Sequence, residues 1–429
     1  MKRLLQKAAG TLGLRVSYTL LTFITSVVLA RVLGRSGFGT YTYTTSWVYL
    51  LTIPATLGFD GLVGREIAIY QTKQDWAKTS GLLRWANVLV IFFAILTASI
   101  GAAVALWRSG SQSEDTQVVL CFLLVMLALP AMALRNIRRG SMRGLHQIVQ
   151  GLFPEMMVAP MLLLGMICFG AFFLRERFTA VWAVGAYTLT TVITLIISAQ
   201  LLSRALPLQV KTCLPQYYRF DWMKQAWPFM FLESIHVLNA RADILMLGAL
   251  NGVEAAGVYA PVNRGAQLIV FILMAFNGPL SPTIASLYAD GKKQELQQIL
   301  IKTARVCLLV SAIAATGLWI LGSQYLRVFG TEISEGLLAL RILCVGQVLY
   351  VFVGLAPMVL SMTGNAQFTA MSGLIGAIIN LILNFFLSPQ YGVSGAAIAT
   401  TCAMLCSGLV NTAWVYRRVG IHPNIFGRI

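Results

Sequence analysis

Apolar runs of about 20 residues, the length that crosses a bilayer as a helix, recur from one end of this chain to the other. They fall at roughly 11–33, 38–60, 83–107, 117–135, 150–174, 179–202, 225–249, 255–280, 304–326, 335–360, 366–388 and 393–416. Inside hydrocarbon every backbone N–H and C=O must bond within the protein, so runs of this length read as helices. Twelve of them in 429 residues leave no room for a soluble domain, and the longest gap, 203–224, reads as a tether. Hydrophobic residues make up 58% of the chain and charged residues 11%, outside the range of soluble globular domains. The reading is an all-α polytopic membrane protein of about twelve transmembrane helices. Arg15 lies inside the first run, which leads straight into further spans, so that run does not read as a cleaved signal peptide.

The net charge of +17 invites a nucleic-acid reading, but its placement argues otherwise. With the N-terminus inside, 22 Lys and Arg residues fall on the cytoplasmic side, among them Arg135, Arg138, Arg139 and Arg143. The outer side keeps five (Arg35, Arg108, Arg175, Arg177 and Arg327), and five more lie within spans. That asymmetry is the positive-inside signal of a membrane protein with both termini cytoplasmic. No nucleic-acid partner is needed to explain it. The seven cysteines contain no CxxC, and most sit in or beside spans as small packing residues.

The sequence also reads as written twice. Gly39-Thr40-Tyr41 returns as Gly257-Val258-Tyr259, 218 positions later, each after a Leu-Gly pair (Leu33-Gly34 and Leu247-Gly248) closing the preceding span. Ile67-Ala68 with Tyr70 returns as Ile284-Ala285 with Tyr288 at almost the same offset. A duplicated block of six spans gives both halves the same orientation, related by an axis along the membrane normal. The expected division is a six-helix bundle over 1–202, a cytoplasmic linker over 203–224 and a second six-helix bundle over 225–429.

Charges inside the spans are the candidate functional residues. A charge at bilayer depth costs roughly 2.5–3.5 kcal/mol on insertion scales, so it faces a partner or a watery cavity. Eight qualify: Arg15, Arg31, Arg241, Arg264 and Arg341, with Glu155, Glu233 and Asp243. At 100° per residue, Glu233, His236, Arg241 and Asp243 share an arc of roughly 160° on the seventh span, compatible with one wall of a cavity. An internal salt-bridge network is the alternative, and for Arg31 and Arg264 so is snorkelling to the outer surface. Arg15, Thr19, Thr22 and Ser26 share one face of the first span, read as lumen-facing; Tyr187, Thr191, Thr194 and Ser198 share one face of the sixth, read as packing. Glu155 lies between Pro154 and Pro160, which imply a kinked fifth span. Asn380 and Asn384, one turn apart, and the small-residue run 395–400 read as close helix packing. There is no Walker A loop, no HExxH and no Gly-x-Ser-x-Gly, so the chain does not read as an enzyme.

Leu29-Ala30-Arg31-Val32-Leu33-Gly34 with Gly37-Phe38-Gly39-Thr40-Tyr41 resembles the first signature of polysaccharide transporters. These are the Wzx-type oligosaccharide flippases of the multidrug/oligosaccharidyl-lipid/polysaccharide exporter superfamily. Ala242 through Gly248 with Ala256-Gly257-Val258-Tyr259, Pro282 through Tyr288, and the run from Asn380 to Thr400 resemble further signatures. The resemblance implies a MATE-like fold of two pseudo-symmetric six-helix bundles in a bacterial inner (plasma) membrane. It implies translocation of an undecaprenyl-pyrophosphate-linked oligosaccharide from the inner to the outer leaflet. On that expectation Arg15, Arg31, Arg241, Arg264 and Arg341 hold pyrophosphate and acidic sugars. Glu155, Glu233 and Asp243 balance them, or bind a coupling proton or sodium ion; no other cofactor is implied. The expected partners are the lipid-linked glycan, membrane lipid, and polymerases or ligases of glycan assembly. Two alternatives stand beside this reading: an exporter of organic cations on the same scaffold, and a non-transporting scaffold of glycan assembly.

Overall fold

A bilayer core about 30 Å thick takes about 20 helical residues, and two helices of this protein are far longer. The computed structural model describes residues 2–111, 116–174 and 177–421. Arg175, His422 and Arg428 lie outside them, as do the side chains of Lys2, Arg3, Lys7, Arg108 and Pro279. α1 (Lys2–Thr56) has 55 residues and α14 (Ala366–Val419) has 54. Each folds back on itself at a glycine of positive φ, Gly34 (φ 66°) and Gly392 (φ 53°), a backbone conformation that side chains with a Cβ resist. Each is therefore two spans.

Between them come α2 (Phe59–Thr72), α3 (Trp76–Ser111), α4 (Thr116–Gly144), α5 (Ile148–Phe153), α6 (Ala159–Leu174), α7 (Ala180–Ala205) and α8 (Leu208–Thr212). α9 (Arg219–Leu250), α10 (Val253–Ala289), α11 (Lys293–Phe329), α12 (Leu337–Val353) and α13 (Ala356–Met362) follow. Eight segments among the described residues are long and apolar enough to cross a membrane. Counting both arms of α1 and α14, and adding α9 and α10 (32 and 37 residues), gives the twelve crossings expected. Large apolar side chains stay exposed along them: Phe92, Ile95 and Ile100 on α3, Phe169, Phe172 and Phe173 on α6, Ile313 and Ile320 on α11. A surface of that kind belongs in lipid rather than water.

Contacts divide the chain into two units, Met1–Leu33 with Thr40–Val237, and Gly34–Gly39 with Leu238–Ile429. The division falls inside α9 rather than at 203–224. In unit 1, α4 packs on α2, α3 and α7 around Phe59, Leu62, Ile67, Leu129, Ile137 and Trp222. The segment 203–224 is docked on that unit: the Gln216 N–H donates to Ala77 O at 3.0 Å, and Trp222 Nε1 donates to Tyr70 Oη at 3.1 Å. In unit 2, α12 packs on α10, α11 and α14, and a separate core forms from Ile284, Leu296, Leu300, Leu360 and Val415.

The duplication is visible in where the helices turn. α9 continues past Leu247-Gly248 to Leu250, and the reversal falls at Gly252 (φ 88°), 218 positions after Gly34, the offset of the sequence repeat. Ile67 and Ile284 are both fully buried. The halves then differ. The second arm of α1 breaks at Leu57 (φ 51°) and Gly58 (φ 75°) before α2, whereas its counterpart α10 runs unbroken. Conversely α4 is continuous, and its counterpart breaks at Gly354 (φ 101°) between α12 and α13. The matched glycines meet: a Cβ on Gly39 would lie 1.9 Å from Val253 O, and one on Gly257 would lie 2.4 Å from Arg35 O. Arg35 pins this crossing through Glu335 (2.9 Å) and Glu254 (3.6 Å).

Gly39→Val must therefore push two backbones apart, at a cost of about 3 kcal/mol, the upper end of overpacking penalties. Its thermal midpoint in detergent should fall clearly below that of Gly317→Ala, where a Cβ meets nothing within 4 Å.

Candidate functional site

Asp243 is 6% exposed, in the second half of α9, and its carboxylate is surrounded by neutral donors. Tyr259 Oη of α10 and Thr400 Oγ1 of α14 each lie 2.7 Å from Oδ2. Asn380 Nδ2 and Asn384 Nδ2 donate to Oδ1 at 2.9 and 3.0 Å. Two donors on each oxygen fill most of what an ionised carboxylate can accept. Asn384 Oδ1 in turn accepts from Ser388 Oγ at 2.9 Å. The reversal at Gly392 brings Thr400, on the second arm of α14, back beside Asn380 on the first. Gly395 makes the approach close enough, since a Cβ there would sit 2.3 Å from Leu387 O.

None of these four hydrogen-bond partners of Asp243 carries charge. The expected single wall of Glu233, His236, Arg241 and Asp243 is therefore divided: Asp243 turns into the interior of unit 2, while His236 is exposed. Asn380 and Asn384, read from the sequence as packing residues, are donors to this carboxylate. The signal for them was their one-turn spacing in an apolar span, where an amide without a partner is costly.

Unit 1 places its charges differently. Arg135, Arg139 and Arg143 recur every fourth residue along one face of α4. Arg139 Nη1 donates to Glu155 Oε2 at 2.9 Å and Oε1 at 3.2 Å, and its Nη2 lies 3.7 Å from Asp60 Oδ2. Arg135 Nη2 is 4.0 Å from Glu155, and its Nε is buried with no hydrogen-bond partner. Arg143 Nη2 donates to Asp60 O at 3.3 Å. Gly140 lets α2 reach α4 here, because a Cβ would lie 2.2 Å from Asp60 O.

Glu155 is held out by a π turn, Pro154–Val158, in which the Ala159 N–H bonds to Pro154 O. Pro160 has no N–H and interrupts the ladder, and the longer loop re-satisfies a carbonyl, so the expected kink is a π bulge. The sequence placed the α4 arginines on the cytoplasmic side of the apolar run 117–135. They stand on a helix that continues past that run, because α2 and α3 pack against its extension. Glu155 thus balances Arg135 and Arg139.

The other expected residues are scattered within their units. Arg15 and Arg31 are exposed on α1. Glu233 is half-buried, in the electrostatic neighbourhood of Asp60, His236, Arg139 and Arg143. Arg241 and Arg264 are half-buried in unit 2. Arg341, also half-buried, lies over the Trp319 ring at 5.3 Å. In the hydroxyl stripes the donors are spent on their own helices: Thr19 to Arg15 O, Ser26 to Thr22 O, Thr191 to Tyr187 O and Ser198 to Thr194 O. What they can offer a ligand is lone pairs.

A family model described as "Polysaccharide biosynthesis protein" matches residues 4–288, two thirds of the chain. The chain belongs to this family. A second model, MatE, matches residues 228–386. A probable flippase, AglR of Haloferax volcanii, is 24% identical over 96% of this chain and 83% of its own length. The lipid II flippase MurJ of Bacillus subtilis is 23% identical over 96% and 82%. A multidrug resistance MATE family transporter of the MOP superfamily superposes with a TM-score of 0.74 at 13% identity, over 94% of each chain. The fold is the MATE-like one expected, and the protein is a multi-pass membrane transporter rather than an enzyme.

Removing the carboxylate of Glu155 leaves two arginines facing an uncharged amide. Glu155→Gln should lower stability by about 1–3 kcal/mol, less than for a fully buried pair because Glu155 keeps some solvent contact. Adding Arg139→Gln should recover most of that loss, as thermal unfolding of the single and double variants in detergent would measure.

Proposed function

We propose that this protein is a flippase for a lipid-linked oligosaccharide of the undecaprenyl-pyrophosphate type, moved from the cytoplasmic to the outer leaflet of the plasma membrane. The reading rests on one observation above others: the chain aligns nearly end to end with proteins named as flippases, one of them a lipid II flippase. In the orientation that the basic residues predict, both termini are cytoplasmic. Arg15, Arg31, Arg241, Arg264 and Arg341 hold the pyrophosphate and any acidic sugars, since a guanidinium fork can bind two phosphate oxygens at once. Arg135 and Arg139 join them. Glu155 and Asp60 keep these two neutralised until a more highly charged anion competes for them. Glycan polymerases or ligases take up the product on the far side.

Asp243 is the coupling site in this reading. A buried carboxylate ringed by neutral groups has two stable states, protonated or cation-bound, and needs no salt bridge rearranged to pass between them. The carboxylate, amide and hydroxyl oxygens gathered there are the hard donors that suit an alkali cation. Glu233 remains a second candidate for charge balance. The exposure of large apolar side chains around each unit matches a site that must be reached from within the protein rather than from lipid.

Two measurements test this. In a deletion strain the lipid-linked glycan should accumulate in the cytoplasmic leaflet, relieved by the wild-type gene but not by Arg241→Ala at equal membrane abundance. Intact surface glycan with altered tolerance to dyes or drugs would replace the reading with export of organic cations. In proteoliposomes, Asp243→Asn should remove any dependence of transport on an imposed sodium or proton gradient. A gradient dependence unchanged in that variant would move the coupling site elsewhere.

A further inference from the structure

Arg138 is the one arginine of the α4 cluster that faces away from Glu155 and Asp60. It is half-buried, and its Nη1 donates to Asn87 Oδ1 of α3, a neutral acceptor. No carboxylate pairs with it among the described residues. A guanidinium has five N–H groups, so one amide oxygen leaves most of its donors unmatched. The guanidinium borders a groove of about 470 Å³ between α4 and α7, whose other walls are Leu195, Ile196, Ala199, Gln200 and Ser203. Beside it, Lys211 Nζ donates to Ser203 O at 2.6 Å, which brings a second cation to the rim.

Depth and shape narrow the ligand. Arg138 is six residues from the end of α4, and Ser203 two from the end of α7, so the groove lies at the boundary between headgroups and hydrocarbon. From its apolar wall, a stripe of exposed side chains runs along α7 toward the bilayer centre: Ile196 (52%), Val192 (37%) and Leu189 (52%). One cation in the groove and one at its rim, no acid among the lining residues, and an apolar track leading inward complement a molecule with an anionic head and a hydrocarbon tail.

We infer that this groove binds an anionic phospholipid of the surrounding bilayer. The headgroup phosphodiester accepts from Arg138 and from Gln200, with Lys211 at its edge, and an acyl chain lies along Ile196, Val192 and Leu189. Basic groups near a membrane surface each favour anionic lipid by about 1 kcal/mol, or about fivefold in binding. The site is separate from the proposed translocation chemistry, and its ligand is a fixed companion rather than cargo.

The test uses the full-length protein in detergent, with native mass spectrometry counting bound phosphatidylglycerol against phosphatidylcholine of the same acyl chains. The wild type should retain one phosphatidylglycerol in clear preference to phosphatidylcholine. Arg138→Gln and Lys211→Gln should each weaken that retention about fivefold. Ala199→Trp, which fills the groove and leaves both cations in place, should abolish it, and carries the test if Arg138→Gln does not fold. Equal retention of the two lipids, or a preference that survives both Arg138→Gln and Ala199→Trp, would overturn the assignment and leave Arg138 snorkelling to water. Displacement of the bound lipid by millimolar inorganic pyrophosphate would overturn it too, in favour of a soluble-anion site.

Discussion

Four segments of unit 2 converge on one carboxylate, and the arrangement of that unit follows from keeping it satisfied. Asp243 on α9 is held by α10 through Tyr259, by the first arm of α14 through Asn380 and Asn384, and by the second arm through Thr400. In an interior that excludes water, each of these donors would be costly to leave unpaired, and so would the charge itself. The reversal at Gly392 and the close approach at Gly395 are what make the convergence geometrically feasible. A side chain larger than glycine at either place would pull Thr400 away and leave one carboxylate oxygen short of a donor.

Unit 1 meets the same electrostatic difficulty by the opposite means. Its carboxylates are neutralised by guanidinium groups, with Glu155 against Arg139 and Arg135, and Asp60 against Arg139. The distinction matters for transport. An ion pair can open only when another charge takes over one partner, so it responds to a charged ligand. A carboxylate held by neutral dipoles can take up a proton or a small cation once its amide and hydroxyl donors turn, with no ion pair to break. In the reading proposed above, unit 1 would answer to an anionic cargo and unit 2 to an ion, although the two share a sequence repeat.

Much of this was legible in the sequence, for identifiable reasons. Span number and helical class followed from the length of the apolar runs, because hydrocarbon permits few alternatives. The repeat showed in Gly39 and Gly257, since a close backbone crossing tolerates no other residue there. Asp243 and Glu155 stood out because a charge in an apolar run is costly. What stayed hidden was pairing. Neither helical periodicity nor charge counting reveals that α4 continues as a helix to Gly144, which makes Arg139 a partner of Glu155. Nor does periodicity reveal that an arc shared by Glu233, His236, Arg241 and Asp243 is split between two units, because the position of a neighbouring helix is a tertiary fact. The one-turn spacing of Asn380 and Asn384 points only to packing, since an amide declares its partner only when the carboxylate appears beside it.

The helix breaks carry the comparison one step further. Unit 1 interrupts its second crossing at Leu57 and Gly58, and unit 2 interrupts its fourth at Gly354, each where the counterpart in the other half is continuous. In unit 1 the break frees α2 to lie against α4, which is what delivers Asp60 to Arg139 and Arg143. In unit 2 the unbroken α10 carries Tyr259 to Asp243 from a rigid rod seated against the Gly39 crossing. Each break therefore falls where it does not disturb the polar cluster of its own unit, and in unit 1 it builds that cluster. The two halves differ in the placement of charge, while the turning glycines at 34 and 252 keep the offset of the sequence repeat.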